Sequence, residues 1–87
     1  MNGDLEMPDG TIVLNTRYPQ RALFLVEDPA GPCHEAYIWA DYFGDAVETL
    51  AEWNGHEGDD DQIDGREVIG EEYTRIEQAT NAYLETL

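Results

Sequence analysis

The chain contains no lysine. Its fixed positive charge is four arginines set against 20 acidic residues, a formal net charge of -16 over 87 residues. Such a balance repels phosphate and anionic lipid, so direct binding to nucleic acid or to a membrane surface is excluded as a primary role, and the complementary partner is a basic surface. Cys33 is the single cysteine, which rules out an intramolecular disulfide and fits a thiol in a reducing cytoplasm. No apolar run approaches the ~20 residues of a membrane span, and the first residues lack a basic-then-apolar leader pattern. The expected location is therefore the cytoplasm.

Catalytic signatures are equally scarce. There is no glycine-rich phosphate loop and no serine-centred elbow. Two histidines and one cysteine are too few for a structural zinc site without carboxylates. Cys33 and His34 are adjacent, and neighbours in an extended strand point to opposite faces, so they do not form a nucleophile–base pair. Many carboxylates are present, but linear spacing marks no pair for split acid–base duties. No enzymatic activity, cofactor or metal is expected.

What is present is a core. Hydrophobic residues make up 41% of the chain, too many for a wholly disordered acidic tail. The length predicts one domain over 1–87, with 1–10 flexible apart from a turn at Pro8-Asp9-Gly10. Thr11 to Thr16, Arg21 to Glu27 and Glu35 to Ala40 read as strands, separated by breaks at Tyr18-Pro19-Gln20 and Pro29-Ala30-Gly31-Pro32. The short connections predict a three-stranded antiparallel meander. The second and third strands are apolar on both faces, which predicts helices on one face and an assembly, such as a homodimer, on the other. A helix is signalled from Asp45 and stops at Gly55. A second, long helix carries Val68 or Ile69, Tyr73, Ile76, Tyr83, Leu84 and Leu87 on one face. It starts at Asp64 with cap spacing to Glu67, or near Gly70 after an extended Ile63–Ile69. The fold class is α+β: a small N-terminal antiparallel sheet followed by two C-terminal helices.

Charge is concentrated in the second half. Residues 1–42 hold 7 acids and 2 arginines, and residues 43–87 hold 13 acids and 2 arginines. Glu48 and Glu52 lie four apart on the first helix, and Glu57, Asp59, Asp60 and Asp61 crowd the following loop. Glu67, Glu71, Glu72, Glu77 and Glu85 continue the series. Like charges at such spacing cost a few tenths of a kcal/mol each. The expected partner-binding residues are Glu48, Glu52, Glu57, Asp59, Asp60, Asp61, Glu71 and Glu72. Tyr42-Phe43 at the strand-to-helix corner fits a hydrophobic staple or an exposed anchor, with packing the default for each aromatic.

Residues 60–71 also approach an EF-hand calcium loop, with Asp60 first, Asp64 fifth, Gly65 sixth and Glu71 twelfth. Gln62 and Glu67 depart from that pattern at the third and eighth positions, and no second loop exists.

In size, charge and sheet-plus-helix plan the chain resembles the small acidic anti-defence proteins of phages and mobile elements: anti-CRISPR proteins, anti-restriction DNA mimics and uracil-DNA glycosylase inhibitors. The corner Ala40-Asp41-Tyr42-Phe43-Gly44-Asp45-Ala46 is similar to corners in small phage and plasmid proteins. The resemblance implies a protein inhibitor acting in a host cytoplasm. It would present an acidic face as a nucleic-acid mimic to a basic nucleic-acid-binding protein, such as a Cas complex, nuclease or glycosylase. Three other readings compete: a salt-adapted small binding or scaffold protein wearing a solvated acidic coat, a calcium-responsive module, and an acidic antitoxin or subunit of a larger complex.

Overall fold

In the computed structural model, residues 4–16, 22–29, 33–55 and 63–86 are described. Their elements follow the order β1 (Leu5–Glu6), β2 (Ile12–Leu14), β3 (Ala22–Glu27), β4 (Glu35–Ala40), α1 (Phe43–Trp53), β5 (Asp64–Glu67) and α2 (Gly70–Glu85). The class is α+β, but the sheet is not the expected three-stranded meander. Among the described residues it has five strands in the order β1-β2-β4-β3-β5. β2 runs parallel to β4, while β1–β2, β3–β4 and β3–β5 are antiparallel.

The interior places go to the strands with apolar residues on both faces, which need neighbours on both sides and cover above and below. β4 is central, and Ala36, Tyr37, Ile38, Trp39 and Ala40 are all buried. Alternation then sorts the side chains into two cores. Leu14, Phe24, Val26, Ala36, Ile38 and Ala40 meet Ala46, Val47 and Leu50 of α1. Val13, Leu23, Leu25, Tyr37 and Trp39 face the opposite way, where Val68 and Ile76 of the α2 arm close over them. The helices therefore lie on opposite faces of the sheet. Both apolar faces are covered within one chain, so the expected assembly on an open face is not what buries them.

Several local expectations take a definite form. The turn at Pro8-Asp9-Gly10 closes a hairpin, with Gly10 at φ +92° and the Gly10 amide donating to the Met7 carbonyl at 2.9 Å. This hairpin recruits Leu5–Glu6, within the segment expected to be flexible, into the sheet. Asp64 and Glu67, spaced like a helix cap, instead open and close β5, and α2 begins at Gly70 with φ +71°, a backbone angle suited to glycine. α1 ends before Gly55 (φ +82°). Asn54 ties that end to the β3–β4 connection: its Nδ2 donates to Asp28 Oδ2 and to the Cys33 carbonyl, and its Oδ1 accepts from the Cys33 amide, each at 2.9 Å. On the other face the Trp39 indole N–H donates to Thr80 Oγ1 at 3.1 Å, anchoring α2 to the central strand.

Gly65 is required for closeness rather than for an unusual backbone angle. A Cβ there would sit 2.3 Å from the Leu25 carbonyl oxygen and 3.1 Å from the Phe43 ring. Gly65→Ala is expected to lower stability by about 1–3 kcal/mol through overpacking. Urea unfolding would read this as a reduced midpoint at an unchanged slope.

Candidate functional site

The outward side of α1 is set by its periodicity. Ala46, Val47, Leu50 and Ala51 are buried against the sheet, which leaves Asp45, Glu48 and Glu52, at i, i+3 and i+7, in one exposed row on the far side. No basic residue occurs in α1. Asp45 in the first turn suits the helix dipole; Glu52 stands near the carboxyl end, where the dipole opposes an acid and no cation offsets it. Local helix energetics do not account for that placement.

The α2 side is different. Both arginines among the described residues serve it. Arg66 projects from β5 and grips Glu72 with two bonds, Nη1 to Oε1 at 2.9 Å and Nη2 to Oε2 at 3.1 Å. Tyr37 donates its hydroxyl to Glu72 Oε2 at 2.5 Å, and Arg75 Nη2 reaches the same hydroxyl at 3.5 Å. The Arg66 fork and the Tyr37 hydroxyl hold the Glu72 carboxyl below the usual carboxylate range, while burial and the Glu72 bond push the Tyr37 phenol up. Glu72 is thus engaged within the fold, while Glu71, its neighbour in the first turn of α2, is exposed.

Of the eight residues expected to bind a partner, Glu48 and Glu52 are brought together on α1. Glu71 and Glu72 lie on α2 across the sheet. Glu57, Asp59, Asp60 and Asp61 fall outside the described residues. The expected single ridge running over both helices is therefore divided by the sheet. Among the described residues, what distinguishes the two helices is the balance of sign: α1 carries acids and no cation, whereas Arg66 and Arg75 temper the α2 side.

A cleft of about 340 Å³ opens at the entry of β2 and β4, lined by Asp9, Thr11, Ile12, Glu35 and Tyr37 among others. The Thr11 amide donates to Asp9 Oδ1 at 3.0 Å and lowers the Asp9 pKa. Cys33 Sγ lies 3.5 Å from the Glu35 carbonyl, and burial raises its pKa, which disfavours the thiolate. Asp64 and Gly65, the fifth and sixth positions of the calcium-loop pattern, lie in a strand paired with Glu27 and Val26, and Gly65 has no positive φ. Among the described residues no three His, Cys, Asp or Glu side chains gather as metal ligands, and no helix is long and apolar enough to cross a membrane.

Of the two readings of the Tyr42-Phe43 corner, the exposed one holds for Tyr42, whereas the exposure of Trp53 escaped the sequence reading. Tyr42 is 73% and Trp53 49% exposed, against the default of packing; they stand at the two ends of α1, on the stripe whose middle residues, Ala46 and Leu50, are fully buried. Phe43 and Tyr73 do pack, edge-on against Phe24 at 5.8 Å and Trp39 at 5.5 Å.

The Tyr37–Glu72–Arg66 cluster contributes to both limbs of the pH-stability curve. Glu72, depressed in the folded state, contributes stability that is complete above its unfolded pKa of about 4.3 and lost as pH falls through the folded value. Tyr37, raised in the folded state, contributes stability that is complete below about pH 10 and lost as pH rises through the folded value. Glu72→Gln is expected to flatten the acid limb of stability measured against pH, and Tyr37→Phe the alkaline limb. No protein-family model matches the chain, and no match is found among the curated proteins or the solved structures.

Proposed function

We propose that the chain is a protein inhibitor of a nucleic-acid-binding enzyme or complex, and that the outward face of α1 stands in for a row of phosphates in the partner's basic groove. The observation that carries this reading is the exposed row Asp45, Glu48 and Glu52 on a helix without a single cation. At 1.5 Å of rise per residue the row spans about 10 Å, or roughly one carboxylate per 5 Å. One strand of duplex DNA offers a charge every ~3.4 Å. The row approaches the charge density of a single phosphate line and falls well short of the ~1.7 Å per charge of a full duplex.

The mechanism is occupation without chemistry. The net charge of -16 steers the chain toward a basic groove and speeds encounter. Carboxylates then pair with arginines and lysines that would otherwise hold phosphate, and the helix blocks the groove. An even acidic coat, as salt adaptation would select, has no reason to keep α1 itself without a cation while Arg66 is paired with Glu72 on the other side of the sheet.

Glu48→Lys with Glu52→Lys reverses two charges on an exposed surface and is expected to leave the circular-dichroism spectrum unchanged. Binding to a basic partner should weaken at least tenfold at low salt, chiefly through the association rate, and the wild-type complex should itself weaken as salt rises. Unaltered affinity in the double variant, together with a domain whose stability climbs steeply toward molar salt, would favour the solvated-coat reading.

A further inference from the structure

The asparagine that ties α1 to the β3–β4 connection is followed by glycine, and the pair Asn54-Gly55 carries a chemistry of its own. The carboxamide carbon of an asparagine is open to attack by the backbone nitrogen of the next residue, and glycine presents that nitrogen with no side chain in the way. In the folded chain both reactants are engaged elsewhere. Asn54 Nδ2 donates to Asp28 Oδ2 and to the Cys33 carbonyl, and its Oδ1 accepts from the Cys33 amide, each at 2.9 Å. The Gly55 amide donates to the Glu52 carbonyl at 3.1 Å. Ring closure also needs the Gly55 nitrogen eclipsed with the Asn54 Cβ, and a ψ of -2° at Asn54 sets it well aside.

The position of this clasp gives it leverage. Asp28 is 1% exposed, so the Asn54 amide supplies a hydrogen bond to a carboxylate with almost no access to water. Asn54 is also the C-cap of α1, and helix ends are where local opening costs least.

We propose that Asn54-Gly55 is a self-modification site, held inactive by the clasp and reached when the end of α1 frays, whose product releases α1 from the β3–β4 connection for good. The Gly55 nitrogen attacks Asn54 Cγ. The N–Cγ bond forms, the Cγ–Nδ2 bond breaks, and the proton from Gly55 ends on Nδ2, which leaves as ammonia. Water then opens the cyclic imide. Attack at one carbonyl gives aspartate, and attack at the other gives isoaspartate, in which the main chain runs through the former side chain. Water is the sole co-reactant. In both products the two N–H donors are gone, so the Cys33 carbonyl and Asp28 each lose a bond. In the aspartate product a new carboxylate also stands within hydrogen-bond distance of Asp28, where the like charges repel. The inference is independent of any reading of the acidic residues on α1.

The test incubates the intact chain in mildly alkaline buffer, with and without denaturing guanidinium chloride, and follows conversion at Asn54 by peptide mass mapping. Conversion is expected to be about tenfold or more faster in denaturant, because the clasp is then absent. Gly55→Ala should slow the denatured reaction about tenfold or more, and in denaturant the strain of alanine at that backbone angle has no bearing. The consequence is read by amide hydrogen exchange on two samples: chain aged in denaturant, returned to native buffer and separated by anion exchange, and Asn54→Asp, a uniform form of the first product. Exchange at the Cys33, Asn54 and Gly55 amides should rise about tenfold or more, while Ile38 in the central strand stays protected. Equal conversion in the two buffers, no conversion in denaturant, or unchanged exchange at the three amides overturns the proposal; should either modified sample fail to fold, the ratio of rates still decides whether the clasp gates the reaction.

Discussion

Two strands that are apolar on both faces impose the rest of the architecture. β3 and β4 cannot leave either side in water, so the sheet must be roofed above and below. α1 and the α2 arm provide the two roofs. β2 and β5 then flank β4 and β3, completing their backbone hydrogen bonding. For a chain this short, whose core is thin, closing both faces within one copy spares it from depending on a partner for its fold.

That arrangement also decides what the charge can do. Covering opposite faces separates the two helices, and with them the acids that linear order places in one series. On the α2 side, Arg66 and Arg75 converge on Glu72 and Tyr37, and the cluster ties β5 and β4 to α2. Within α1 no cation accompanies Asp45, Glu48 and Glu52. A row of like charges, an acid at the wrong end of the helix dipole and an aromatic residue in place of a cap all fall on this one element. Each is a small local cost that the fold does not recover, and such violations gather where a surface is used for something other than folding.

Much of the fold was legible in the residues. The doubly apolar runs around Phe24 and Ile38 located the two inner strands, Gly55 marked the end of α1, and Gly70 was one of two readings for the start of α2. β5 was harder to place, because Asp64-Gly65-Arg66-Glu67 has neither alternation nor β-branched residues. It is extended because Gly65 lets its backbone approach Leu25 closely and because it pairs with a strand nearly forty residues earlier. The short link between β2 and β3 suggested that they pair, whereas the register joins β2 to β4 instead. Of the candidate site, Glu48 and Glu52 were legible from their four-residue spacing. The engagement of Glu72 was not, since it depends on Tyr37 and Arg66 arriving from two other strands.

The sequence by itself determined the charge, the α+β class, the apolar stripe of each helix and the alternation that makes the central strands two-sided. These follow from periodicity and composition, which are local properties of the chain. Only the tertiary structure decided which side of the sheet each helix covers, which strand lies beside which, and therefore which carboxylates remain free together. Helical spacing says that a stripe must be buried, not against which of two equally apolar faces; that choice is made by long-range packing, and it is what set Glu48 and Glu52 apart from Glu71 and Glu72.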